Sequence, residues 1–86
     1  MASYQIEWKA SAQKELRNLP KSMVGRIMAV VEHLAEDPFP SGVVKLAGSD
    51  HSYRIRVGDY RVIYTVESIL LSIQIVRVRH RRDVYR

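Results

Sequence analysis

Tyr53-Arg54-Ile55-Arg56-Val57-Gly58-Asp59-Tyr60-Arg61-Val62-Ile63-Tyr64 carries the clearest structural signal in this chain. Tyr53, Ile55 and Val57 alternate with Arg54 and Arg56, the period of a strand with one buried face. Gly58-Asp59 forms a tight-turn pair, after which Tyr60, Val62, Tyr64 and Val66 resume the alternation with Arg61 on the opposite face. The segment predicts a β-hairpin. If its apolar positions face a core, Arg54, Arg56 and Arg61 emerge together on the other side of the sheet. Like charges set across strands are destabilising, so their placement calls for an anionic partner outside the fold. A solvated sheet face charged against edge aggregation is the plainer alternative.

Downstream, residues from about Leu70 to Val78 are apolar at nearly every position, as in a strand inside a sheet. Upstream, Pro38, Pro40 and Gly42 mark an irregular connection rather than a domain linker. Val24, Ile27, Val30, Val31 and Leu34 before it have helical spacing, predicting a helix that ends near Asp37-Pro38. An earlier helix, with Ser11 as its N-cap, runs through Leu16 to Leu19 and is interrupted by Pro20. Tyr4, Ile6 and Trp8 alternate with polar neighbours, predicting a first strand. The expected fold is α+β: an N-terminal strand and a two-helix hairpin packed on an antiparallel sheet of about four strands. Tyr4, Trp8 and Tyr64 read as core.

At 86 residues the chain is expected to be a single domain over 1–86. Its apolar fraction of 47% is ample for one core. Cysteine is absent, which excludes a disulfide framework or thiolate metal site. Nothing before Tyr4 resembles a signal peptide, and no apolar run approaches the roughly 20 residues that span a bilayer. A cytoplasmic protein with no membrane partner is expected. Residues 1–43 balance five cations with five carboxylates, so the whole net charge of +5 lies in residues 44–86, where eight of nine cations are arginine. Arginine grips phosphate with a planar fork, which makes nucleic acid the leading partner for this half.

The run Arg77-Val78-Arg79-His80-Arg81-Arg82-Asp83-Val84-Tyr85-Arg86 adds an imidazole and a phenol to the cations. Ribonuclease chemistry uses such groups: a 2′-hydroxyl loses a proton, the leaving 5′-oxygen gains one, and the phosphorane charge is stabilised. Arg61 and Arg81, permanently charged and bidentate, suit clamping of the transition state. His80 supplies an imidazole that could act as acid or base, although a lone histidine in a basic tail is more often a surface residue. Tyr85 could move a proton, stack on a base or anchor the tail. His33 and His51 read as bystanders. No metal site and no cofactor are expected, since no carboxylate or histidine cluster has ligand spacing.

Lys45-Leu46-Ala47-Gly48, the hairpin segment quoted above, and His80-Arg81-Arg82-Asp83-Val84-Tyr85 resemble successive signatures of the RelE/ParE toxin superfamily. Ala12-Gln13-Lys14-Glu15-Leu16 with Leu19-Pro20 resembles its first helix, so the likeness spans nearly the whole chain. It implies a RelE-like fold and a toxin of a type II toxin-antitoxin system, held inactive in a hetero-oligomer by a cognate RelB-like antitoxin. RelE-type members cut mRNA in the ribosomal A site without metal, by attack of the 2′-hydroxyl. The resemblance and the residue types together make Arg61, Arg81, Tyr85, Arg56 and His80 the expected catalytic residues. Lys45, Arg54, Arg56, Arg77, Arg79 and Arg82 are the expected RNA-binding ones. Arg56 departs from the lysine frequent at this point in the family, and an arginine does not release its proton, so the general base is left open. The sequence ends shortly after the tyrosine, so the C-terminal helix of longer relatives is not expected. A ParE-like inhibitor of DNA gyrase without ribonuclease activity is the main alternative, and a non-catalytic RNA-binding module is a third.

Overall fold

The computed structural model describes residues 3–84, with side chains described through residue 82. In chain order the elements are β1 (Gln5–Trp8), α1 (Ala10–Arg17), α2 (Lys21–Glu36), β2 (Val44–Lys45), β3 (Ser52–Val57), β4 (Tyr60–Glu67), β5 (Ser72–His80) and α3 (Arg81–Val84). They form an α+β fold on one five-stranded sheet of order β1-β5-β4-β3-β2. Strands β2 to β5 are the expected antiparallel part. The first strand joins it at the far edge, parallel to β5, pairing Ile6 with Ile73 and Trp8 with Ile75. Its partner lies more than sixty residues downstream in the sequence, beyond the reach of any local pattern.

The hairpin forms as its alternation predicts. Gly58 takes φ +61°, a left-handed conformation open to glycine at no steric cost, and Tyr53↔Tyr64, Ile55↔Val62 and Val57↔Tyr60 pair across the turn. Val57, Val62, Tyr64, Val66, Ile73, Ile75 and Val78 are buried on one face, together with Ala12, Ile27, Val31 and Leu34 from the helices. Each such aliphatic side chain taken fully from water contributes roughly 1.5–3 kcal/mol. Tyr64 is fully buried and donates its hydroxyl to the Pro38 carbonyl at 2.7 Å, pinning the α2–β2 connection to the sheet. Burial pushes this phenol well above its ordinary range, with Tyr53 and then Asp37 adding to the effect. Tyr4 and Trp8 pack against the core from its margin rather than within it.

Three boundaries differ from expectation. Helix α1 begins at Ala10 with Lys9 at the cap position and no side-chain cap hydrogen bond, so Ser11 lies inside the helix rather than before it. Strand β5 begins at Ser72: Leu71, at φ +51°, closes a turn in which its N–H reaches the Ser68 carbonyl at 3.3 Å. Ile69 and Leu70, one of them expected in the strand, stand exposed at that turn. The third is a β-bulge. Ile63 pairs with Arg77 but Tyr64 with Ile75, which leaves Val76 as an extra residue on β5. The bulge changes which residues face outward. Ile73 and Ile75 before it and Val78 after it all face the core, although 75 and 78 differ by an odd number. Among the described residues no helix is long and apolar enough to cross a membrane.

Candidate nucleic-acid interface

Strand alternation and the Val76 bulge together define the face turned away from the core. Arg56 pairs with Arg61 across β3 and β4, and Arg61 pairs with Arg79 across β4 and β5. Three arginines therefore stand side by side in one row across the sheet. A second row follows, in which Arg54 pairs with Ile63 and Ile63 with Arg77. Without the bulge, Arg77 and Arg79 would share the phase of Ile73 and Ile75 and point into the helices. One extra residue turns both to the arginine face.

Arg61, at the centre of the row, is only 9% exposed, and its Nη1 is buried with no hydrogen-bond partner. A buried charge without a partner is costly, and the neighbours on both strands are like charges, which raises the cost. An oxyanion placed on this row would offset the repulsion. Arg56 is exposed and donates from Nε to the Gly58 carbonyl at 2.9 Å, which folds its side chain against the turn. Arg26 of α2 reaches the same turn: a Cβ at Gly58 would lie 3.2 Å from its Nη1.

Glu15 closes the opposite side of the row. Beyond Ile75, β5 has no β1 partner, and α1 follows directly from the end of β1, so Glu15 arrives at the open edge. Its Oε1 accepts the Val78 N–H at 3.0 Å. Its Oε2 lies 2.8 Å from Arg79 Nε and 3.6 Å from Arg77 Nη1. The Arg79 contact is ionic rather than a directed hydrogen bond, since that N–H is not aimed at the oxygen. Among the described residues these are the only two ion pairs, so Arg54, Arg56 and Arg61 have no carboxylate of their own.

The expected site residues divide. Arg54, Arg56, Arg61, Arg77 and Arg79 share the outer face. Arg81 and Arg82 are exposed at the start of α3, whose position is tied to the hairpin by the Arg81 N–H donating to the Asp59 carbonyl at 2.7 Å. His80 is not brought to the arginine row. It pairs with Tyr60, which packs on the core, and the two rings meet edge to face at 5.2 Å. Its Nδ1 accepts the Arg82 N–H at 3.3 Å. Lys45 pairs with Tyr53, another core-facing residue, and so stands on the other side of the sheet from Arg54. Tyr85 lies outside the described residues. His51 is an exposed loop residue, and His33 lines a shallow groove with Ala29, Val30, Asp37, Pro40 and Ile55. Sequence reasoning missed Glu15 and Arg26, helical residues distant in sequence from the strands they touch.

This arrangement, a strand and two helices followed by an antiparallel sheet with an arginine row on its outer face, defines a small α+β domain built to bind an anion. The family model for the ParE toxin of the parDE type II toxin-antitoxin system matches residues 6–85, and the chain belongs to this RelE/ParE toxin superfamily. It is 31% identical to the toxin RelG of Mycobacterium tuberculosis over 90 aligned positions, covering 96% of this chain and 97% of RelG. The archaeal RelE-RelB complex from Pyrococcus horikoshii contains a chain 33% identical to it, with a TM-score of 0.83 over 92% of this chain and 96% of that one. The isolated Escherichia coli RelE toxin shares the fold at 24% identity, with a TM-score of 0.81 over 96% of this chain and 92% of that one.

Proposed function

We propose that this chain is the ribonuclease toxin of a type II toxin-antitoxin pair, a single cytoplasmic domain that cuts mRNA in the ribosomal A site without a metal or cofactor. The observation that carries the reading is the Arg56–Arg61–Arg79 row with the unpartnered Nη1 of Arg61 at its centre. In the reaction, the 2′-oxygen bonds to the adjacent phosphorus, the bond to the 5′-oxygen breaks, and a 2′,3′-cyclic phosphate and a 5′-hydroxyl result. Charge accumulates on the non-bridging oxygens, where Arg61, flanked by Arg56 and Arg79 and helped by Arg81, stabilises it. None of these guanidinium groups releases a proton, so they act as electrostatic clamps rather than bases. With His80 turned toward Tyr60, proton transfer falls to Tyr85, and electrostatic stabilisation carries the larger share of the rate. Arg54, Arg77 and Arg82 extend the phosphate-binding surface, and Lys45 meets RNA only at the sheet edge. The Pyrococcus horikoshii relative is in complex with RelB, and here a cognate antitoxin covers the arginine face with an acidic or amphipathic segment.

One observation favours a ParE-like gyrase inhibitor instead: the imidazole that would distinguish a nuclease faces away from the arginines. The two readings separate in one experiment. Wild type and Arg61→Met are induced in cells and new 5′ ends are mapped on ribosome-bound messages. Cuts at A-site codons that vanish in the variant are expected. Growth arrest with intact messages and altered plasmid supercoiling would replace the nuclease with the gyrase reading.

A further inference from the structure

Glu15 is the one carboxylate that the described structure brings to the arginine row, and it does so from a helix. Its two oxygens divide their tasks: Oε1 closes the open edge of β5 at the Val78 N–H, and Oε2 holds Arg79 and Arg77. Because Oε1 is fixed to the backbone, Oε2 is fixed too. The geometry points to Glu15 as a positioning residue of the anion-binding face, which draws Arg79 toward the β5 edge and keeps it off its cross-strand neighbour Arg61. This rests on the reading of the row as a phosphate site.

The physical reason lies in the row itself. Arg61 and Arg79 are direct cross-strand partners, and like charges placed so repel. A free Arg79 would swing among many rotamers and meet phosphate wherever it found it. Held by the charge of Glu15 at Nε, it leaves the outer nitrogens of its fork at one place on the β5 side of the row. Glu15 also lowers the net charge of the face, so the wild-type row trades indiscriminate attraction for a defined clamp. The tethered arginine contributes to the transition state, and a released one contributes to generic binding.

Glu15→Gln tests this while keeping an oxygen for the Val78 N–H and nearly the same volume. Expected are tighter binding of a single-stranded oligoribonucleotide, a plot of log K against log salt steeper by about 0.7, and a cleavage kcat lower by roughly tenfold. A residue that merely supported the fold would lower binding, rate and melting temperature together. The substitution is repeated in an Arg79→Gln background, where Glu15→Gln releases Arg77 alone and is expected to change the salt slope and kcat by much less. Equal effects in the two backgrounds would overturn the assignment. Inorganic phosphate, followed through the Nε–H resonances of Arg61 and Arg79, gives a reading that needs no RNA. Phosphate is expected to shift both signals in wild type and to lose its effect at Arg79 in Glu15→Gln; an unchanged response would also overturn the assignment. A wild type that binds RNA but cuts none removes the nuclease reading alone, and Glu15 is then judged on the salt slopes and the phosphate titration.

Discussion

The two faces of this sheet are built from alternate residues of the same strands and obey opposite rules. Toward the helices, Val62, Tyr64, Val66, Ile73, Ile75 and Val78 are buried against Ile27, Val31 and Leu34, and the one polar atom of Tyr64 has its partner in Pro38. Away from the helices, Arg56, Arg61 and Arg79 lie side by side, and the most buried of them has a nitrogen with no partner. The first face stabilises the fold, and the second spends some of that stability on a preorganised cationic surface. A core satisfies its own groups, whereas a site leaves a group unsatisfied for a ligand.

The contrast depends on phase, so changing the phase gives the largest effect. Deleting Val78 shifts it: whether or not Val76 stays bulged, Arg77 or Arg79 then takes the place opposite Val62 and points toward the core. Losing Val78 from the core and burying one unpaired guanidinium group together cost an amount comparable to the roughly 5–15 kcal/mol that holds such a domain together. The deletion variant is expected to yield no cooperative thermal transition by circular dichroism. A folded variant that kept wild-type activity would show that the phase of β5 does not place these arginines.

Arg61→Met sharpens the comparison by making one outer residue obey the rule of the inner face. Ribosome-dependent cleavage is expected to fall by about 100-fold or more, the usual loss when a transition-state donor is removed. Stability should move the other way. Replacing a buried, uncompensated charge with an apolar side chain of similar length is expected to gain about 1–2 kcal/mol, a melting temperature higher by roughly 4–16 °C for a domain of this size. Loss of activity with loss of stability would mean that Arg61 supports the fold instead of opposing it.

These faces were legible to very different extents. The hairpin face could be read because Tyr53 to Tyr64 alternate without interruption, and alternation is a local property of the chain. The face of β5 could not. Ile73, Ile75, Val76 and Val78 are all apolar, so the pattern does not say where the phase slips, and Val76 is identified only by what β4 pairs with. Ordinary alternation beyond the slip separates Arg79 from His80, adjacent in sequence and on opposite sides of the sheet. Reading the basic tail as one cluster therefore did not separate His80 from the arginines beside it. Glu15 was invisible for a different reason: it meets Val78 across 63 positions, and its i,i+4 neighbours give no sign of it.

On the core face, Tyr64→Phe is expected to lose about 1–3 kcal/mol at neutral pH by leaving the buried Pro38 carbonyl unpaired. The raised phenol pKa gives the substitution a second signature. A proton bound more tightly in the folded state stabilises it fully below the ordinary value of 10.0, and that contribution is lost as pH rises from there toward the folded value. Wild type should therefore lose stability faster than Tyr64→Phe above that point, by up to about 1.4 kcal/mol for each pH unit. Urea midpoints of both proteins at neutral and alkaline pH test it. Parallel decline would mean that the phenol is not held protonated by burial.

The smallest effect isolates the face from the charge. Arg54→Gln and Lys45→Gln each remove one exposed or half-exposed cation near the same sheet edge, where β2 pairs with β3. A net-charge effect would make them equivalent, because long-range attraction does not distinguish which side of a thin sheet carries the charge. A contact made on one face would not. Arg54 stands in the outer row with Ile63 and Arg77, whereas Lys45 is aligned with Tyr53 toward the core side. Arg54→Gln is expected to weaken oligoribonucleotide binding by about two- to fivefold and to reduce the salt slope by about 0.7, the signature of one lost phosphate contact on a single strand. Lys45→Gln should shift binding less and leave the slope nearly unchanged. Equal slopes for the two variants would mean that RNA is gathered by overall charge, and that the arginine row acts only after the strand has arrived.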